Sequence, residues 1–159
     1  MAIKQGDKMP EGKFRVMSAT GPAEISTDDL FKGKKVALFS VPGAFTPTCS
    51  NQHLPSYLKN YDQIKAKGFD TIACVAVNDV FVMDAWGKER GVGDKIKMLA
   101  DGNGEYAKKL GLELDGSKFG LGMRGKRFSM VVNNGTVESV NVDEGKYEMT
   151  SAENTCAIG

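Results

Sequence analysis

Histidine is almost absent from the sequence: among 159 residues there is one, His53. A metal site needing two histidines is thereby excluded within one chain, and any histidine-based triad would have to use His53. Cysteine is scarce as well, its three instances being Cys49, Cys74 and Cys156. An odd count without close pairing does not make a secreted disulfide framework. It suits a reducing compartment with redox or catalytic thiols, or thiols that simply pack. A dominant charge is missing too, the formal net charge being +1, which argues against nucleic acid or an acidic membrane as the main partner. No apolar run is long enough to span a bilayer, and Met1-Ala2-Ile3-Lys4-Gln5-Gly6-Asp7 holds no apolar signal region. The expectation is a soluble, cytoplasmic protein. Repeats, low-complexity tracts and interdomain linkers are absent as well. Residues 1–159, with 41% hydrophobic and 26% charged side chains, therefore read as a single domain that can bury a core.

What is present alternates between two periodicities. An extended arm over 1–11 leads to a short strand at Phe14 to Met17, a Gly21-Pro22 turn and a second strand ending near Ile25. Ser26-Thr27-Asp28-Asp29-Leu30 reads as a capped helical turn closed by Gly33. Val36 to Val41, rich in β-branched and apolar residues, reads as a strand, and Thr71 to Val77 is a near-continuous apolar run of strand length, as in a parallel strand buried on both faces. Between them the spacing of Leu54, Tyr57, Leu58, Tyr61 and Ile64 predicts one long helix over 48–66, bent at Pro55 and ended by Gly68. Asn78-Asp79 caps a helix from Val80 to about Arg90. A strand at Ile96 to Leu99, a helix from Gly104 to Leu110 and a loop over 116–125 follow. Phe128 to Val132 and Thr136 to Val142 flank Asn134-Gly135, the strongest short hairpin signal. Thr150-Ser151-Ala152-Glu153 has the spacing of a capping box, predicting a C-terminal helix. The pattern is that of an α/β protein with a central mixed sheet flanked by helices.

The chemistry concentrates where the strand Val36 to Val41 breaks at Pro42-Gly43 and the chain turns helical at about Thr48. Cys49 falls at the start of that helix, where unpaired N–H groups and the helix dipole favour a thiolate, the reactive form. The plainer alternative is a small buried side chain, as most free cysteines are. Cys49 and His53, four apart, share a helical face. That pair suits either acyl transfer or metal ligation with partners from elsewhere, or leaves His53 as a hydrogen-bonded neighbour supporting the site. Arg127, at the start of a hairpin strand, is either a solvated charge or, if it meets Cys49, a planar fork that favours the thiolate and binds an oxyanion or peroxide oxygen. Gly120-Leu121-Gly122-Met123-Arg124-Gly125 matches a dinucleotide fingerprint by letters, but it precedes a hairpin where that motif must open a helix. Asn134-Gly135-Thr136 matches a glycosylation acceptor and is sufficiently explained as a turn.

Pro42-Gly43-Ala44-Phe45-Thr46-Pro47-Thr48-Cys49-Ser50 closely resembles the active-site motif P-x-x-x-T-x-x-C of the peroxiredoxins, in the form typical of the plant type II and animal five-type subfamily. His53-Leu54-Pro55, the segment from Val77 to Trp86, Ala100-Asp101-Gly102-Asn103-Gly104 and Arg127 to Val132 resemble further segments of that subfamily, so the likeness covers essentially the whole chain. It implies a thioredoxin-like fold and thiol-dependent reduction of hydrogen peroxide and organic hydroperoxides. Cys49 would be the peroxidatic cysteine, becoming a sulfenic acid; Thr46 would orient the peroxide, Arg127 would stabilise developing negative charge and Pro42 would shield the pocket. No cofactor and no metal are implied. Cys74 stands where plant type II members carry a resolving cysteine, whereas animal members have a cysteine there that does not resolve. Ser151 stands about where the animal forms place theirs, with Cys156 beyond it. Two recycling routes follow: resolution by Cys74, which needs local unfolding because a disulfide needs α-carbons within about 7 Å, or a one-cysteine cycle completed by glutathione, glutaredoxin or thioredoxin. The resemblance further implies a homodimer with Phe81, Val82 and the Phe45 region near its interface. A different class remains open at this stage, a non-enzymatic thiol sensor or binding module using the same cysteine.

Overall fold

A computed structural model describes residues 2–143 and 150–152. The predicted capping-box helix beyond Ala152 and Cys156 lie outside the described residues.

The two apolar runs become the centre of the sheet. β1 (Lys13–Ser18) and β2 (Gly21–Ser26) form an antiparallel hairpin, and α1 (Thr27–Phe31) follows with Ser26 accepting the Asp29 N–H as its cap. β3 (Lys35–Ser40) and β4 (Thr71–Ala76) pair in parallel, with every residue after the first buried in each. This explains their lack of alternation: helices cover both faces, so both faces must be apolar. After α4 (Val80–Glu89), β5 (Lys97–Ala100) extends the parallel set. α5 (Glu105–Leu110) ends at Gly111, whose φ of 70° suits glycine. β6 (Glu113–Asp115) and β7 (Met123–Gly125) make a separate two-stranded ribbon. β8 (Arg127–Asn133) and β9 (Thr136–Asp143) complete the main sheet, whose order is β2-β1-β5-β4-β3-β8-β9. Asn134 and Gly135, with φ of 50° and 81°, make the turn expected of Asn-Gly.

Two corrections to the sequence reading follow. Residues 116–125 are not all loop, because Met123–Gly125 pairs with Glu113–Asp115; a three-residue strand among glycines has too little periodicity to be seen. The long helix predicted over 48–66 is three pieces: a π-helical turn at Cys49–His53, α2 (Leu54–Lys59) and α3 (Tyr61–Ala66). Pro55 explains the first break, having no N–H to donate and a ring that clashes with the carbonyl four residues earlier. The chain widens ahead of it, so that the Leu54 N–H reaches back five residues to the Cys49 carbonyl. Asn60 explains the second: its side-chain amide donates to the Ser56 carbonyl at 2.9 Å and its backbone leaves the helical region at ψ 14°.

The pieces still present their apolar stripe to the sheet. Leu54, Tyr57 and Ile64, with Met83 and Trp86 of α4, pack on the face carrying Ala37, Phe39, Ile72 and Cys74. The opposite face, with Val36, Leu38, Ala73 and Val75, is covered by Leu30 and Phe31 of α1 and Tyr106 and Leu110 of α5. Phe39 stacks on Tyr57 at 4.0 Å between ring centres, fixing the first helical segment against β3 beside Cys49.

Candidate active site

The loop leaving β3 is tied down at several points before it reaches Cys49. The Ala44 N–H donates to Asn78 Oδ1 at 2.9 Å and the Thr46 hydroxyl to the Gly43 carbonyl at 2.7 Å. Phe45, between them, holds φ at 66°, a conformation that costs a non-glycine residue energy and that these anchors sustain. Pro42, half-buried, occupies the bend that begins this loop. The first helical turn opens at Pro47, and the Ser50 N–H donates to the Thr46 carbonyl at 2.8 Å. Proline suits that opening position, where an N–H would have no acceptor. Thr48 and Cys49 belong to the same turn, so their N–H groups find no intrahelical acceptor and present a partial positive charge. Ser50 is fixed in turn by the Trp86 indole N–H at 2.9 Å.

Strand register brings Arg127 to this loop. β8 runs antiparallel to β3 with Phe128 opposite Ser40, so Arg127 lies one step beyond, at the end of β3 from which the loop departs. The alternation of strand side chains puts Arg127 on the same face as Phe39 and Cys74. There it is buried and Nη2 donates to Cys49 Sγ at 3.2 Å. Thus the cysteine and the arginine singled out from the sequence meet, and a fixed guanidinium faces the sulfur where a thiolate would carry its charge.

His53 meets Cys49 through Arg127. Its Nδ1 lies 2.8 Å from Arg127 Nη1 and its Nε2 2.9 Å from the Thr150 carbonyl. A guanidinium only donates and a carbonyl only accepts, so the tautomer is set: Nε2 carries the hydrogen and Nδ1 accepts. Burial, and then the Arg127 charge, push the His53 pKa down to about 3. A neutral imidazole with both nitrogens committed neither serves Cys49 as base nor ligates a metal, and among the described residues no three His, Cys, Asp or Glu side chains gather as a metal site. Of the sequence alternatives, this geometry is that of a hydrogen-bonded neighbour.

Cys74, in mid-β4, shares the core with Cys49 and is fully buried; both thiols are free. Burial, followed by the neighbouring Cys49, pushes the Cys74 thiol well up, despite the opposing Arg127 charge.

Four further residues take part that the sequence reading did not place at the site. Arg124 donates to the Val77 and Leu121 carbonyls at 3.0 and 2.9 Å, bracing the neighbourhood of Gly43. Asn78 serves the Ala44 loop, leaving Asp79 as the cap of α4. Asp143 accepts the backbone N–H and hydroxyl of Thr150. Thr150 is thus drawn into the site. The Arg124–Val77 and Asn78–Ala44 contacts join positions 47 and 34 apart, beyond what local pattern reveals.

The family model described as Redoxin matches residues 4–155. The chain is 47% identical over 153 residues to peroxiredoxin-2C of Oryza sativa subsp. japonica, covering 95% of this chain and 94% of the rice protein. It is 51% identical over 136 residues to a peroxiredoxin of Synechocystis sp., covering 82% of this chain and 71% of that protein. The structure of reduced Prx3 from Vibrio vulnificus in complex with hydrogen peroxide superposes with a TM-score of 0.94 at 46% identity, covering 98% of each chain.

Proposed function

The chain belongs to the peroxiredoxins, in their type II and five-type branch, and from that membership we propose how its own side chains divide the work of a thiol-dependent peroxidase. The substrate is a peroxide and the electrons come from a thiol. Cys49, as thiolate, attacks one peroxide oxygen; the S–O bond forms as the O–O bond breaks, and the departing oxygen takes a proton to leave as water or alcohol. The sulfur becomes a sulfenic acid. The observation that carries this assignment is the Arg127 guanidinium 3.2 Å from the Cys49 sulfur, a preorganised donor where negative charge passes from sulfur to oxygen. The Thr46 hydroxyl spends its hydrogen on the Gly43 carbonyl, so its lone pairs are left to accept from a peroxide O–H. Pro42 offers an apolar wall with no N–H to compete for the substrate.

For recycling, a one-cysteine cycle fits best. A protonated thiol in mid-strand is a poor nucleophile, so an external thiol meets the sulfenic acid, forming a mixed disulfide with loss of water, and a second thiol releases Cys49. Glutathione with glutaredoxin, or thioredoxin, would supply these, consistent with a cytoplasmic setting. Phe45 and Phe81, 50% and 64% exposed, together with Val82, offer apolar area for a homodimer.

The test is peroxide consumption by purified protein with a thiol reductant. Wild type should turn over many times and Cys49→Ser not at all; undiminished consumption by that variant would sink the assignment, and a single turnover despite excess reductant would favour a sensor.

A further inference from the structure

We propose that Thr150 and Asp143 are positioning residues for the peroxide reaction, acting on Cys49 through His53 and Arg127. The inference rests on the assignment of Arg127 to the peroxide step. Its basis is one unbroken file of hydrogen bonds. Asp143 Oδ2 accepts the Thr150 N–H at 3.1 Å and its hydroxyl at 2.7 Å. The Thr150 carbonyl accepts from His53 Nε2 at 2.9 Å, His53 Nδ1 accepts from Arg127 Nη1 at 2.8 Å, and Arg127 Nη2 donates to Cys49 Sγ at 3.2 Å.

Each link has only one way round. The other tautomer would set an N–H against the guanidinium N–H, so the Thr150 carbonyl holds the hydrogen on Nε2 and leaves Nδ1 to accept from Arg127. Tyr57 donates to the same carbonyl at 3.2 Å, leaving it little freedom to turn. Thr150 is in turn fixed by both its backbone and its side chain on one carboxylate oxygen. Asp143 is the cross-strand partner of Arg127, so the carboxylate that fixes Thr150 and the guanidinium that Thr150 orients start from the same rung of the sheet. A second strap runs alongside: the Ala152 N–H donates to Ser56 Oγ at 3.2 Å, and Ser56 Oγ to the His53 carbonyl at 2.7 Å. The segment 150–152 is therefore built into the support of the guanidinium although 97 positions separate Thr150 from His53.

The experiment follows oxidation of Cys49 by hydrogen peroxide in stopped flow, using fluorescence of the single tryptophan, Trp86, whose indole contacts Ser50 beside Cys49. Thermal midpoints check that each variant is folded. Thr150→Val and Asp143→Asn should slow the second-order step roughly ten- to a hundredfold through misplacement of Arg127. Thr150→Ser, which keeps the hydroxyl donor, should restore the rate to within about twofold. The double variant His53→Ala, Thr150→Val should be no slower than His53→Ala alone, since both remove the same file. If Thr150→Val fails to fold, Asp143→Asn carries the test. Wild-type rates in both variants alongside a slow Arg127→Ala overturn the proposal, as does a Thr150→Ser as slow as the valine form. A wild-type rate in Arg127→Ala would overturn the assignment of Arg127 instead.

Discussion

Arg127 Nη2 stands 3.2 Å from Cys49 Sγ, joining the first strand of the terminal hairpin to a turn 78 positions earlier. The same guanidinium donates to His53, so its plane is fixed before any substrate arrives, and the cost of orienting it is met during folding.

Replacing Arg127 by alanine should slow peroxide attack by about a hundred- to a thousandfold, the usual loss for a preorganised donor. It should also lower stability by about 1–3 kcal/mol, because the buried Nδ1 of His53 loses its donor. Stopped-flow oxidation and urea unfolding read the two effects separately; an unchanged rate would remove Arg127 from the chemistry.

Stability should fall as the solution is acidified through the range below neutrality. His53 has an ordinary value of 6.5 and a folded value of about 3, so between these the unfolded chain binds a proton that the folded chain refuses. The stabilisation is complete above about pH 6.5 and declines by about 1.4 kcal/mol per unit toward pH 3. Urea midpoints measured against pH should show this slope in the wild type and a flatter profile in His53→Gln, which does not titrate; equal slopes would reject the neutral buried imidazole.

Cys74→Ala should leave turnover with an external thiol unchanged while costing about 1 kcal/mol for the void left in the central strand. Mass spectrometry after one equivalent of peroxide without reductant should find sulfenic acid at Cys49. A rapidly formed Cys49–Cys74 disulfide would instead establish internal resolution.

Gly43→Ala probes the loop. An added Cβ would stand 3.1 Å from the Thr46 Cγ2, close enough to displace the threonine by a few tenths of an ångström. Peroxide reactivity should drop roughly tenfold while the thermal midpoint shifts little, since misplacement of a positioning group costs rate more than fold. An unaltered rate would argue that Thr46 has slack.

The sequence reading fared best where a local pattern and its tertiary setting agree. The buried runs of β3 and β4 and the Asn134-Gly135 turn are properties of short segments, and the motif around Cys49 singles out the thiol that the structure sets against Arg127. It fared worse where one residue overrides its neighbours: the stripe from Leu54 to Ile64 is genuine, yet Pro55 and Asn60 divide its helix. It could not reach relations set by register. That Arg127 faces Cys49 depends on Phe128 lying opposite Ser40, and a slip of one residue would turn Arg127 to the other face. Asp143 and Thr150 were invisible for the same reason, being brought to His53 by strand pairing and chain return.

Cys49 is only 1% exposed, and this divides the catalytic cycle by molecular size. A peroxide of a few atoms can reach the sulfur through small fluctuations, but a thiol tripeptide or a reductant protein needs the turn around Cys49 to open. Once reductant captures opened molecules faster than they reclose, raising its concentration would cease to help, and turnover would meet a ceiling equal to the rate at which the π-helical turn comes undone. The wide turn forced by Pro55 would thereby act as the timer of the reductive half of the cycle.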